Sequence, residues 1–347
     1  MLADIWFILI GVLLAGYALF DGFDLGVGML YPFLGKSESD KSVMRRSIGP
    51  IWDGNEVWLL TAGGALFAAF PPAYATVFSG FYLALMLLLF GLIMRAASME
   101  FRHSDPKWSK FWDGAFFLGS TVPALLFGVA VGNIVRGLPL TEAGEMMAAG
   151  EAVFGANLLA ALNPYSIIIG LLGLAWVGAH GAAWLAKKST GDLQARSIKV
   201  RNLFGVVQLL MVVVAGIATK FLAPEAFGRV TGSVIGWLFV ALLVGASIAA
   251  IVLGRKGSDL QAFFATAATA IGLVGVWAAA IFPYIVPALP GSAGEGLTVA
   301  ASSSSPLALT AMLIIAIIGV PLVLFYHYLL YVKTYAGKIE PEEEPTY

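Results

Sequence analysis

Nine stretches of this chain, near residues 6–30, 51–71, 76–97, 112–135, 164–186, 203–222, 231–253, 261–287 and 307–332, are predominantly apolar over a bilayer-spanning length, about 20 residues for a helix. Hydrocarbon offers no partner to an unpaired backbone N–H or C=O, so such segments can only be helices. The alternating short strands of a membrane barrel are missing. The expected product is an all-α integral membrane protein in the lipid bilayer, one polytopic domain over residues 1–338 followed by an acidic cytoplasmic tail, 339–347. Composition agrees: 59% of residues are hydrophobic and 12% charged, against about 25% charged in soluble domains. The first segment has no basic leader and no small-residue cleavage pattern, so it is expected to remain as a helix. The chain has no cysteine, which excludes disulfides, iron–sulfur clusters, thiolate metal sites and cysteine nucleophiles. No nucleotide-binding motif occurs in a strand–helix context, and no nucleic-acid partner is expected.

Lysine and arginine fall on alternate connections. Lys36, Lys41, Arg45 and Arg46 follow the first segment, and Arg95, Arg102, Lys107 and Lys110 the third. Lys187, Lys188, Arg196, Lys199 and Arg201 follow the fifth, Arg255 and Lys256 the seventh, and Lys333 and Lys338 the ninth. Of the 20 Lys and Arg residues, only Arg136, Lys220 and Arg229 lie elsewhere. Cytoplasmic connections carry the excess of positive charge in membrane proteins. The N-terminus is therefore expected outside and the C-terminus in the cytoplasm. The loop near 136–163, with Glu142, Glu145 and Glu151, and the Gly- and Ser-rich loop near 288–306 read as solvated outer connections. The run Glu340-Pro341-Glu342-Glu343-Glu344-Pro345 reads as a disordered tail.

Within this frame four carboxylates stand out: Asp21 and Asp24 in the first segment, Asp53 and Glu56 at the start of the second. All four are expected near the cytoplasmic face, each pair at i, i+3 on one helix face. A carboxylate at membrane depth is expensive, and is by default a functional hypothesis. For Asp53 and Glu56 the plain alternative is strong. Pro50 precedes them, and acids in a first helical turn are favoured by the helix dipole. Asp21 and Asp24 approach the unfavourable end of their helix among Gly22, Gly26 and Gly28, which points to a buried polar role: a proton relay, an ion site or an interhelical hydrogen bond. Arg95 reads as a snorkelling interfacial arginine, with an ion pair to the buried acids as the alternative. His180 and His327 lie at membrane depth and could ligate haem or act in hydrogen bonding. Trp6, Trp52, Trp58, Trp108, Trp112, Trp176 and Trp184 read mostly as an interfacial belt, with Trp52, beside Asp53, set apart as a structural candidate. A Trp-Asp-Gly triplet opens two segments, at 52–54 and 112–114, as an internal repeat would.

The runs Asp21-Gly22-Phe23-Asp24-Leu25-Gly26-Val27-Gly28, Trp52-Asp53-Gly54-Asn55-Glu56-Val57-Trp58-Leu59 and Thr61-Ala62-Gly63-Gly64-Ala65-Leu66-Phe67-Ala68 resemble subunit II of the cytochrome bd-type quinol oxidases, including the cyanide-insensitive bd-like members. The likeness continues, in order, through Phe78-Ser79-Gly80-Phe81-Tyr82, Arg95-Ala96-Ala97-Ser98-Met99-Glu100-Phe101-Arg102, Leu162-Asn163-Pro164-Tyr165 and Phe282-Pro283. It implies about nine transmembrane helices, as two four-helix bundles plus one peripheral helix, in a bacterial or archaeal cytoplasmic (inner) membrane. It implies a larger partner, cytochrome bd subunit I, carrying the quinol site and haems b and d, or haem b only. Small single-helix accessory subunits occur in some members, as does a structural quinone in subunit II, for which the motifs assign no contacts. This chain itself is expected to bind no haem and no metal. Asp53 first, then Asp24, Asp21 and Glu56, are the proton-transfer candidates for oxygen reduction to water. Short outer connections near 223–230 and 288–306 resemble the compact members. From physics alone the rival is a stand-alone proton-coupled transporter, although such proteins place broken helices at mid-membrane and here the acids gather toward one face.

Overall fold

The structure is a computed structural model that describes residues 1–104, 106–146 and 156–340. Its elements, in order, are α1 (Leu2–Leu34), α2 (Glu38–Arg46), α3 (Trp52–Ala69), α4 (Pro71–Gly80), α5 (Tyr82–Ser104), α6 (Ser109–Arg136) and α7 (Ala156–Ala161). There follow α8 (Pro164–Lys188), α9 (Gly191–Leu222), α10 (Pro224–Thr231), α11 (Val234–Arg255), α12 (Asp259–Ile281), β1 (Tyr284–Val286), β2 (Leu297–Thr298) and α13 (Pro306–Tyr328). Helix starts follow local chemistry. Ser37 and Asp40 form a reciprocal cap on α2, and Asn163, Ser233 and Ser305 accept N–H groups at the starts of α8, α11 and α13. Proline occupies the first turn of α4, α8, α10 and α13, where its missing N–H costs nothing.

Among the described residues, eight helices are long and apolar enough to cross a membrane: α1, α5, α6, α8, α9, α11, α12 and α13 with its extension to Thr334. The expected ninth crossing corresponds to α3, whose 18 residues reach about 27 Å at 1.5 Å per residue. Its polar opening, Trp52-Asp53-Gly54-Asn55-Glu56, lowers its hydropathy. Packing nevertheless runs α3 along the depth of α1. Asn55 meets Asp24 at one end, while at the other Ser304 N–H donates to Ala69 C=O at 2.8 Å and Trp6 Nε1 donates to Leu309 C=O at 2.9 Å.

α1, α3, α5 and α6 form one packed group and α8, α9, α11 and α12 a second; α1 and α6 join the two by packing on α8. α13 touches α1 and α3 and leaves most of its surface bare. One close approach is between α1 and α8: a Cβ on Gly26 would lie 2.7 Å from Gly181 Cα, and one on Gly181 2.6 Å from Gly26 Cα. Only glycine on both helices allows that contact, the small-residue packing of membrane helices.

The basic connections gather at one end. There Lys41 and Arg102 pair with Asp113 at 2.7 and 2.8 Å, Arg102 with Glu38 at 2.6 Å, and Arg196 with Asp40 at 2.7 Å. Partial burial would raise the Glu38 carboxyl, but hydrogen bonds from Arg102 and Lys41 outweigh it and hold the group below its ordinary value. Arg136, at the far end of α6, lies at the opposite face of the molecule.

Several sequence readings change. Trp6, Trp58, Trp176 and Trp184 are buried and not part of an interfacial belt, because each indole N–H finds an internal acceptor: Leu309 C=O, His327, Thr266 C=O and Ser47 C=O. The connection near 223–230 is helix α10, and β1 pairs antiparallel with β2 beside the loop near 288–306. At the start of the acidic tail, Ile339 N–H donates to Lys188 C=O at 2.7 Å and Arg46 Nη2 donates to Glu340 C=O at 2.6 Å. The rest of that tail, 341–347, and Glu151 lie outside the described residues.

Candidate functional site

From Asp21 to Tyr31, every residue of α1 is buried, so this half of the helix has no solvent face on which to place its two acids. Asp24 lies ten residues before the helix end at Leu34, about 15 Å along the axis. Neighbouring helices must therefore supply the polar partners. Arg95 of α5 is 1% exposed and Asp21 is 0% exposed, and Arg95 Nη1 donates to Asp21 Oδ1 at 2.7 Å. A second guanidinium nitrogen, Nη2, pairs with Glu56 Oε1 of α3. Asp24 instead meets the α3 amide: Asn55 Nδ2 donates to Asp24 Oδ2 at 2.7 Å, and Tyr331 Oη donates to Asn55 Oδ1 at 2.7 Å. Tyr331 stands on a π-helical turn, Leu329–Thr334, that extends α13. Such turns recur where a helix must aim one side chain at a site.

The result is two short chains of polar contacts side by side, Asp21–Arg95–Glu56 and Asp24–Asn55–Tyr331. Glu56 is the most accessible acid of the group at 24% side-chain exposure. Asp21 Oδ2, Asp24 Oδ1 and the Tyr17 hydroxyl are buried with no hydrogen-bond partner among the described residues.

The four predicted acids therefore divide. Asp21, Asp24 and Glu56 converge. Asp53 is exposed on the first turn of α3, with Trp52 half-buried beside it. The i, i+3 spacing sets Asp53 and Glu56 on neighbouring lines of the helix, yet only Glu56 turns inward to Arg95. Arg95 is the larger correction: it lies buried between two carboxylates and does not snorkel. Asn55, Tyr331 and Tyr17 join the site without being charged residues in an apolar segment, the signal that marks the acids. Asn55 stood within the quoted Trp52–Leu59 run, but nothing in the apolar last segment marked Tyr331. The second Trp-Asp-Gly copy has a different setting, since Asp113 is held by Lys41 and Arg102.

Both intramembrane histidines are fully engaged. His180 Nε2 donates to Leu19 C=O at 2.9 Å and its Nδ1 lies 2.7 Å from the Thr266 hydroxyl. His327 Nδ1 donates to Val323 C=O at 2.9 Å, and its Nε2 accepts from Trp58 Nε1 at 3.2 Å. Among the described residues no three His, Asp or Glu side chains come together as metal ligands. Between the two helix groups lies an apolar cavity of about 380 Å³, lined by residues such as Leu25, Phe127, Trp176 and Leu243. Its polar groups are few: the Tyr17 hydroxyl, the Trp277 indole N–H and the hydrogen-bonded pair Tyr165–Thr219 at 3.0 Å.

Residues 2–334 match the family model for cytochrome bd terminal oxidase subunit II. The chain belongs to that family. It is 36% identical to a probable cytochrome oxidase subunit 2 of Haemophilus influenzae, over 97% of this chain and 94% of that one. It is 33% identical to the cytochrome bd-I ubiquinol oxidase subunit 2 of Escherichia coli K12, over 99% and 96%. It is 36% identical to the cytochrome bd ubiquinol oxidase subunit 2 of Bacillus subtilis, over 93% of each. The fold matches a chain of the bd oxidase from Geobacillus thermodenitrificans with a TM-score of 0.78, covering 95% of this chain and 97% of that chain at 16% identity. This member of the bd family is thus an integral membrane subunit of an oxidoreductase complex, and the transporter reading is not favoured.

Proposed function

We propose that the chain is the haem-free subunit II of a quinol:oxygen oxidoreductase. In this reading it is one polytopic domain over residues 1–338, with its basic end in the cytoplasm and its N-terminus outside. It pairs with a larger subunit I, which holds the quinol site and the haems, of type b with or without d. The haems supply the oxygen chemistry there. This chain's residues carry protons toward it from the cytoplasmic side.

The observation that carries the reading is the buried cluster at the basic end. Two carboxyl groups, Asp21 and Glu56, share the guanidinium of Arg95, while a third beside them, Asp24, is bonded by the neutral Asn55 amide. With more acids than cations in a medium that penalises unpaired charge, the cluster has the capacity to hold a proton, and the unpartnered Asp24 Oδ1 is the atom we assign to it. Glu56, partly accessible, is the entry. Asp53, one turn earlier and exposed, collects protons at the surface. The engaged nitrogens of His180 and His327 support the haem-free assignment. The exposed stripe of α3 through Asp53, Val57, Thr61 and Gly64 carries polar and small residues, and we assign it to subunit I. Accessory single-helix subunits belong to the same proposal. So does a structural quinone, for which the apolar cavity has room, with the Trp277 N–H and Tyr17 hydroxyl as unpartnered groups for a quinone oxygen.

The test is Asp53→Asn, which keeps the shape and the helix-start preference but carries no proton. The assembled complex should keep its haems and lose turnover, where a positioned proton-transfer group contributes on the order of 10²–10⁴-fold. Undiminished quinol-dependent oxygen consumption per haem would return Asp53 to a helix-terminus role.

A further inference from the structure

Only three cationic side chains, Arg136, Lys220 and Arg229, lie on the connections opposite the basic end, and two of them line one groove. Its volume is about 230 Å³, and it is walled by the end of α6, the α9–α10 corner and the segment around Leu289. Arg136, half-buried on the last turn of α6, has no hydrogen bond or ion pair among the described residues. The negative end of the α6 dipole favours its charge but uses none of its N–H groups. Arg229 spends Nε on Ala280 C=O at 2.6 Å. Its only carboxylate neighbour among the described residues, the exposed Glu225, stands 3.8 Å away, beyond hydrogen-bond reach. Burial lowers the pKa of Arg229, and Glu225 and Tyr284 only partly offset it, so its charge is under-compensated.

The groove has two further properties of an anion site. The first turn of α10, Pro224-Glu225-Ala226, lines it, and the leading N–H groups of a helix have no partner within that helix. Next to the lining residue Leu222 the exposed Phe221 also ends α9, and the helix that follows α10, α11, opens with the exposed Val234 and Ile235. The groove also has an apolar side of its own in Leu222 and Leu289. A ligand that fits carries a phosphate for the two arginines and hydrocarbon for the flank.

We propose that this groove is a binding site for the phosphodiester of an anionic phospholipid from the leaflet opposite the basic end. Arg136 and Arg229 hold the phosphate, and the acyl chains lie on the exposed ends of α9 and α11. Lys220, on the last turn of α9, adds positive charge at the same end of the molecule. Glu225 limits the affinity.

The test uses the intact oxidase complex, equilibrated in nanodiscs of mixed phosphatidylglycerol and phosphatidylcholine, returned to detergent, and analysed by mass spectrometry for retained lipid. Phosphatidylglycerol should be retained in preference. Arg136→Gln with Arg229→Gln should weaken that retention by about tenfold or more, since both charge-assisted contacts to the phosphate are lost. Glu225→Gln removes the competing carboxylate, leaves both arginines in place and should increase retention, so the site remains testable if the double variant fails to assemble. Inorganic phosphate added at millimolar concentration should not displace the lipid. Equal retention of both lipids by the unmodified complex, retention unchanged by Glu225→Gln, or displacement by phosphate alone would overturn the assignment, the last by showing a free-anion site instead.

Discussion

Replacing Arg95 by methionine should be among the most damaging substitutions in the chain. The side chain is 1% exposed and bonds Asp21, itself 0% exposed, and Glu56, 24% exposed. Among the described residues the second oxygen of Asp21 has no hydrogen-bond partner, so the variant leaves a carboxylate in hydrocarbon without a cation. Removing one member of a buried ion pair costs about 3–5 kcal/mol, or roughly 10²–10³-fold and more in the folded population. Most of that falls on Asp21, because Glu56 can turn to the surface. The assay is the yield of intact complex, read as haem per milligram of membrane protein, together with the rate of thermal inactivation. The loss should be insensitive to ionic strength, since buried pairs are little screened. Arg95→Met combined with Asp21→Asn removes both charges and should recover part of the loss, a coupling of about 0.5–3 kcal/mol. An Arg95→Met complex as abundant and as durable as the unmodified one, or a double variant worse than the single, would refute the ion-pair reasoning.

His180→Leu and His327→Leu should leave every haem absorption band in place, or weaken all together through lost assembly; selective loss of one band would make this chain a haem ligand. Gly26→Leu should abolish assembly, because its side chain would drive into Gly181. A Cβ added at Gly64 on the α3 stripe meets nothing within 4 Å among the described residues, so with Gly64→Leu this subunit should still insert and accumulate while its co-purification with subunit I is lost. For Glu38, whose pKa is lowered from its ordinary 4.5, the stabilisation is present above that value and fades as the pH falls through the folded pKa. Attachment of α2, followed by protease access near Lys36, should therefore loosen only in acid. Glu38→Gln should cost about 0.2–1 kcal/mol, as exposed pairs do.

The crossing helices were legible because bilayer thickness fixes their length and because alternate connections carry the lysines and arginines. α3 shows the limit of that signal. Read as a ninth span from its length and apolar content, α3 carries acids and Asn55 that lower its mean hydropathy, and it is not among the eight helices apolar enough to cross, although it packs along α1. The acids of the site were also readable, since carboxylates inside apolar segments are costly wherever they occur. Their partners were less so. Arg95 near a helix end has the same local sequence whether it snorkels outward or turns inward, and the choice is made by Asp21 on a helix 74 residues away. Tyr331 reaches Asn55 across 276 residues of sequence, and no periodicity encodes that distance. The tryptophans misled for a related reason: an indole near a helix end suits an interface, but three internal carbonyls and the His327 ring gave four of them acceptors in the core.

The most direct measurement of the central claim is the proton uptake that accompanies oxygen reduction, followed in proteoliposomes with a pH dye confined to one side. The comparison is between the unmodified complex and an Asp24→Asn complex of equal haem content. The account predicts uptake from the side of the basic end, and a slowing of that uptake in the variant by on the order of 10²-fold with all haem bands intact. Uptake from the opposite side, or an undiminished rate in a fully assembled variant, would contradict it.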